Sequence, residues 1–434
     1  MNLPSYLFLS STNRVHFQCV AVLCSCAWGL FAGNLTAMAA DPNWASLEYT
    51  PIHEMQAVHA DGSAAWQVPT VPPDYQQAYK LRGVVINNPE DMLDTTPAYA
   101  EGPMWNMGGQ WQVFLEATST PDQPEELVDD WGGVCLWMGQ NYGNHVWHYP
   151  NPSYSYSDSA WTAELERLNY PIDINTGEPV DEPLRVGDLV EIRARGGLAY
   201  KGKFNCNEQH DNDPALNFDI VLLERDLVPS VTTLTLADVK DASDEAIFDS
   251  TRSSGGEYYQ GRLVRLEGVR VHEASQWGVY GEITITDGNG RTLPVHLGMS
   301  PDWADSFAPT GPFDLVGVFD QESDSSTDGY LLWALALEDF HLDADLDDDG
   351  FVGGNDLDTI RAHWGEHVSP GDLGAGDVSG DGFVGGDDLD LIRANWGFGA
   401  PPTPATVPEP TATAILLGIA GSLLAARRKY RRTE

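Results

Sequence analysis

The stretch 345–356, DLDDDGFVGGND, returns at 377–388 as DVSGDGFVGGDD, so one phrase of 12 residues occurs twice at an offset of 32 positions. Positions 1, 3 and 5 are Asp345, Asp347 and Asp349 in the first copy and Asp377, Ser379 and Asp381 in the second. Position 6 is Gly350 or Gly382, and position 12 is Asp356 or Asp388. A hard cation with six to eight oxygen ligands is served by donors at positions 1, 3, 5, 7 and 12, with glycine at 6 for the sharp turn. The donor at position 7 is a main-chain carbonyl, here that of Phe351 or Phe383. Each loop is therefore expected to hold one Ca²⁺. Gly353 and Gly385 at position 9 leave a water to complete the shell, and Val352 and Val384 at position 8 are expected to pair with each other as a short β contact.

Outward from the loops, both copies continue into helical spacing. Leu357, Ile360 and Trp364 match Leu389, Ile392 and Trp396, an apolar stripe at i, i+3, i+7, and Gly365 and Gly397 stand where each helix would end. No helical pattern precedes either loop: a strand-like run from Leu331 to Phe340 leads into the first, and a glycine-rich stretch from Gly371 to Gly376 into the second. A calcium loop with an exiting helix only, Asp at position 12 and duplication from Asp345 to Gly397, resembles the type I dockerin module. The resemblance implies a small α-helical fold around two calcium ions, over residues 343–398, that docks onto a cohesin-like module of a partner protein. Loop one offers four side-chain carboxylates and loop two offers three, so loop one is expected to bind calcium more tightly.

The whole chain of 434 residues carries a formal net charge of −42. Such a field repels phosphate backbones, which excludes nucleic acid as a partner. Six of the 23 Lys and Arg residues lie at the two ends. Arg14 precedes an apolar run from Cys19 to Phe31 and the small residues Ala37 to Ala39, the pattern of a secretory signal over 1–39. At the other end a Pro-rich linker, 400–410, leads to the apolar segment 411–426 and then Arg427, Arg428, Lys429, Arg431 and Arg432. Sixteen helical residues rise only about 24 Å, short for a bilayer. Pro408-Glu409-Pro410, the short apolar helix and the basic end resemble a PEP-CTERM sorting signal over 407–434. That resemblance implies transient membrane anchoring and cleavage by an exosortase-type enzyme, leaving the protein at the outer cell surface; a permanent tail anchor is the alternative.

The body reads as mainly β. Short runs bounded by turn residues, Leu81–Ile86, Trp111–Ala117, Gly133–Met138, Leu189–Arg195 and Phe218–Leu223, make one set within 41–228. Arg262–Arg270, Glu282–Thr286, Thr292–Leu297, Leu315–Val318 and Tyr330–Ala336 make a second within 257–341. Two small β-barrels or sandwiches are expected, and the phrase from Val186 to Ile192 loosely resembles the third strand of OB-fold modules. Of the cysteines beyond the signal, Cys135 and Cys206 either form one disulfide or remain two buried thiols.

Chemistry in the body is sparsely written. Trp105, Trp111, Trp131, Trp137, Trp147 and Trp161 are either core or stacking faces for a polysaccharide. Glu208, His210, Asp211 and Asp213 are either an acid/base or metal cluster or a polar hairpin end. His145 and His148 have no third ligand at metal spacing, His53-Glu54 lacks a second histidine, and no nucleophile elbow or phosphate loop occurs. Besides a docked surface protein, a glycan-binding or glycan-hydrolysing component and a matrix protein fit the pattern. If the tail is a sorting signal, mass spectrometry of the mature surface protein will not find Arg427–Glu434; that peptide on most copies would contradict cleavage.

Overall fold

A computed structural model describes residues 42–401 except 69, 72–74, 77, 93–110, 121–122, 139–157, 208–216, 280 and 324. Residues 1–39, read as a secretory signal, the tail 407–434, read as a sorting signal, Trp105, Trp147, His145, His148 and the 208–213 cluster lie outside the described residues, as does the side chain of Trp161. The protein is mainly β, with two large sheets and few helices. Among the described residues no helix is long and apolar enough to cross a membrane.

The first sheet is built from β1 (Tyr79–Val85), β2 (Trp111–Glu116), β3 (Gly133–Met138), β4 (Leu189–Ala194), β5 (Leu198–Tyr200), β6 (Lys203–Asn207) and β7 (Asp219–Glu224). β1, β2 and β3 form an antiparallel meander, β6 lies parallel to β3, and β4 returns to the far side of β1. β5 follows β4 after three residues yet pairs with β6 on the opposite edge. The fourth strand position is thus shared between two pieces, and among the described residues no pair closes this sheet. Gly197 sits at the turn, where a Cβ would lie 2.3 Å from the Phe204 ring. The helix α1 (Asp158–Asn169) connects β3 to β4 and buries Leu168 in the core. β7 was expected to be the fifth strand; it instead flanks β4 from outside, and β6 takes that place.

The second sheet closes completely. β8 (Leu263–Glu273), β9 (Glu282–Thr286), β10 (Thr292–Leu297), β11 (Phe313–Gln321) and β12 (Tyr330–Ala334) pair in the ring β8-β9-β10-β12-β11-β8, with β10 and β12 parallel. This is the order of the first sheet, with β11 unbroken where β4 and β5 are two pieces. One strand serves two neighbours because β8 bends: its register on β11 shifts between Leu266 and Val269, and Gly268, at φ +64°, donates its N–H to Asp314 Oδ1 at 2.9 Å. A bulge of this kind re-aims a strand at a barrel corner. Ile283 and Ile285 on β9 and Leu293, Val295 and Leu297 on β10 alternate into the core, fully buried, at about 1.5–3 kcal/mol each.

The first sheet and the barrel share an apolar layer of Ile86, Met92, Phe114 and Cys135 against Val318, Leu331, Trp333 and Leu335. This explains why β2 is buried on both faces rather than alternating, Gln112 and Glu116 included. Two cations, Lys203 and Arg262, form ion pairs across the layer. Lys203 Nζ lies 2.7 and 2.6 Å from the Asp320 carboxylate and 2.9 Å from Glu322, and Arg262 Nε donates to Glu116 Oε1 at 3.0 Å. Burial works against the charge of Lys203, but Asp320 and Glu322 outweigh it and hold its pKa above the ordinary lysine value.

The disulfide alternative is not realised: Cys135 and Cys206 are both free and buried. They lie on neighbouring parallel strands, but Cys135 is level with Asn205 and Leu136 with Cys206. Side chains one position apart face opposite sides of a sheet, so Cys135 enters the layer between the first sheet and the barrel, and Cys206 the core on the other face of the first sheet. Burial pushes the Cys135 thiol up.

Removing one member of a buried ion pair costs about 3–5 kcal/mol, whereas replacing both with apolar residues is often neutral. Lys203→Met, which strands the fully buried Asp320, should therefore lose about that much in chemical denaturation. Adding Asp320→Leu should recover most of it; a double variant no better than the single one would show that the pair does not join the two sheets.

Candidate metal centre

Both repeats fold as an oxygen-lined loop running into a helix, α2 (Gly354–Ala362) after the first and α3 (Gly386–Ala394) after the second. The sharp turn at position 6 is made by Gly350 and Gly382, at φ +80° and +81°. The position-1 carboxylate closes each turn. Asp345 accepts from the N–H groups of Asp349 and Gly350 at 3.2 and 2.8 Å, and Asp377 from those of Gly380, Asp381 and Gly382 at 3.0, 3.2 and 2.8 Å. Asp349 and Asp381 each take the N–H of the phenylalanine two residues on, at 3.0 and 2.8 Å.

Asp356 and Asp388 at position 12 are fully buried and reach back to the start of their loops. Asp356 accepts from Leu346 N at 2.7 Å and Gly353 N at 2.6 Å; Asp388 accepts from Ser379 N at 2.8 Å and Gly385 N at 2.7 Å. A carboxylate has about four lone-pair sites, so these bonds leave acceptor capacity on both. The shorter Asp, in place of Glu, seats the first turn of the helix directly on the loop.

In loop one the ligand oxygens of Asp345, Asp347 and Asp349 all lie within 4.8 Å of one another. Oxygens on one coordination sphere at calcium's 2.3–2.6 Å are separated by at most about 5 Å, so these three and the donor set fit that ion. Asp345 has its pKa raised, by burial first and then by its carboxylate neighbours, against the lowering by Gly350 and Asp349 N–H. Asp377 is lowered: burial opposes this, but the N–H groups of Gly371, Gly382 and Gly380 prevail. Phe351 and Phe383 at position 7 fold their rings over position 9, where a Cβ on Gly353 or Gly385 would meet them at 2.9 or 2.8 Å.

Two expectations are corrected. Val352 and Val384 do not pair with each other. Val352 donates to Phe398 O at 3.0 Å and accepts from Gly397 N at 2.9 Å; Val384 donates to Glu366 O at 3.0 Å and accepts from Gly365 N at 2.9 Å. Each loop is bonded to the segment after the other copy's helix, an exchange related by the 32-residue offset. The apolar stripe is also only partly covered. Ile360 and Ile392 are fully buried, but Trp364 and Trp396 remain 53% and 49% exposed. With Leu357, Arg361 and their equivalents Leu389 and Arg393 they line an open groove between α2 and α3.

The aromatic residues of the first sheet form no open platform among the described residues. Trp111 is buried with Nε1 donating to Asn169 Oδ1 at 2.9 Å, and Trp137 packs at the layer between the first sheet and the barrel. Trp131 stacks on His53 and lies under the Arg252 guanidinium, 4.6 Å from its ring centre. His53 Nδ1 is 2.9 Å from Asp130, whose carboxylate also caps the Ile52 and His53 N–H groups. These are packing roles. A comparison with protein-family models and with curated proteins finds no match to this chain.

The position-12 carboxylate makes a local prediction that needs no metal. In chelator, Asp388→Ala should cost about 2–4 kcal/mol, because the buried N–H groups it accepts lose their partner, while Asp387→Ala on the exposed side stays within about 0.5 kcal/mol. Equal losses in a denaturant titration would show that Asp388 does not hold the loop to α3.

Proposed function

We propose that the protein is an exported cell-surface protein whose C-terminal loop–helix pair is a dockerin-like module, binding two Ca²⁺ and docking the two-barrel body onto a cohesin-like module of a partner. The observation that carries this reading is the loop geometry: three carboxylate oxygens within 4.8 Å, on a loop with an exiting helix, repeated with its main-chain pairing exchanged between copies. Asp345, Asp347, Asp349, the carbonyl of Phe351 and Asp356 would hold the first ion. Asp377, Ser379, Asp381, the carbonyl of Phe383 and Asp388 would hold the second. Bound calcium supplies the positive charge that crowded carboxylates lack. The open groove with Trp364 and Trp396 is the face offered to a partner, since half-exposed tryptophans beside arginines are the residue types enriched at interface centres.

The ring order of the second barrel, first-second-third-fifth-fourth, supports reading both barrels as OB-fold-like modules, serving here as a non-catalytic body. Export rests on the N-terminal signal pattern, and surface delivery on the sorting tail and an exosortase-type enzyme.

Calorimetry on the mature chain should find two calcium ions. Loop one should bind the tighter ion, Asp345→Ala should remove it, and Ser379→Asp should narrow the gap between the sites. Retention on immobilised cohesin modules should require calcium and be lost in chelator. No calcium uptake at millimolar concentration would overturn the reading.

A further inference from the structure

The exchange of main-chain bonds gives the two repeats an approximate two-fold relation, and one side breaks it. On copy two, Asn395 is fully buried and clamps the barrel: its Nδ2 donates to Thr310 O at 2.6 Å and its Oδ1 accepts from Thr310 N at 2.7 Å. Phe398 packs edge-on against Phe340 and Phe307, and Leu391 closes on Gly311, where a Cβ would sit 3.0 Å from it. The equivalent residues of copy one are Thr359, His363 and Glu366. They are polar, and His363 and Glu366 form an exposed pair at 3.0 Å. Sequence similarity between the copies is thus lost at the three positions where one copy meets the barrel.

The apolar core does not stop at this seat. Val352, Ile360, Val378, Val384, Ile392 and Phe398 belong to the same buried cluster as Val264, Leu315 and Phe340 of the second barrel. Both loops hold the seat in place. Loop two does so through Asp388 at the start of α3, the helix that leads to Asn395, and loop one through Val352, whose main chain pairs with Phe398 and Gly397. If either loop loosens, the residues that grip Thr310 lose their support.

We infer that the loop–helix pair and the second barrel form one calcium-linked folding unit, in which ion occupancy of the loops sets the local stability of the barrel through the Asn395–Thr310 clamp. The inference rests on the calcium reading above and goes beyond it, since a tethered docking module would leave its neighbour indifferent to the ion. A ligand at 100 times its dissociation constant stabilises the state it binds by a factor of about 100. That factor is available to the barrel only if the seat transmits it.

The test is hydrogen exchange on the intact mature chain, with calcium binding followed in parallel by calorimetry. In the wild type, chelation should speed exchange in Phe313–Gln321 by up to about 100-fold, with a smaller change in Leu189–Ala194 of the first sheet. Asn395→Ala should still bind two ions, but exchange in Phe313–Gln321 should become insensitive to calcium. Leu391→Thr, which gives copy two the residue of copy one, is the milder variant should Asn395→Ala fold poorly, and should cut the calcium response several-fold. Thr359→Leu should leave it unchanged. Two ions bound with no calcium effect on Phe313–Gln321 would overturn the coupling and leave the calcium reading standing. A calcium effect that survives in both Asn395→Ala and Leu391→Thr would overturn the route through the clamp. No ions bound would instead overturn the calcium reading itself.

Discussion

Val352 is hydrogen-bonded to the chain just beyond the second helix, and Val384 to the chain just beyond the first. Neither repeat can complete its own backbone bonding alone, because each supplies the strand that the other's loop needs. Two nine-residue helices with one buried isoleucine apiece, Ile360 and Ile392, are far below the length at which isolated helices persist in water. The exchange joins them into a pair, brings Leu357, Trp364, Leu389 and Trp396 to one groove, and holds the Asp356 and Asp388 carboxylates under their loops. The arrangement of oxygens in the loops, the exposed tryptophans and the seat on the barrel all follow from that pairing.

The body solves a different problem, how to fasten two small sheets together. Both use the same strand order, but only the second closes, with a continuous fourth strand and a bulge at Gly268; in the first, that strand is broken between β4 and β5, at Gly197. Their contact is apolar at Phe114, Val318 and Trp333 and charged at Lys203 and Asp320, where burial demands a partner. Asn395 and Phe398 then extend the core of the second barrel into the helical pair. First sheet, barrel and helical pair are therefore linked in series by buried contacts.

Much of this was legible in the sequence, and the failures have physical causes. β2, β3, β9 and β10 match the expected runs closely because alternation or unbroken hydrophobicity marks them. β6 was missed because Lys203, Asn205 and Asn207 look like a loop, yet all are buried; what makes Lys203 tolerable is Asp320, 117 positions away. The glycine turns at Gly350 and Gly382 and the helices after them were readable from the repeat alone. The partner of each valine was not, because an internal repeat gives no sign of whether its copies pair like with like or by exchange. The stripe of Trp364 and Trp396 likewise could not tell a covered face from an open one. At the seat, the departures of Leu391, Asn395 and Phe398 from Thr359, His363 and Glu366 were visible, and they are where the copies cease to be equivalent.

Anomalous diffraction from crystals of the mature chain grown in calcium tests the central claim most directly. Two anomalous peaks are predicted, one among Asp345, Asp347 and Asp349 and one among Asp377, Ser379 and Asp381, with the Asn395–Thr310 contact intact. A map with no peak at either loop, although the same main-chain exchange is present, would contradict the account.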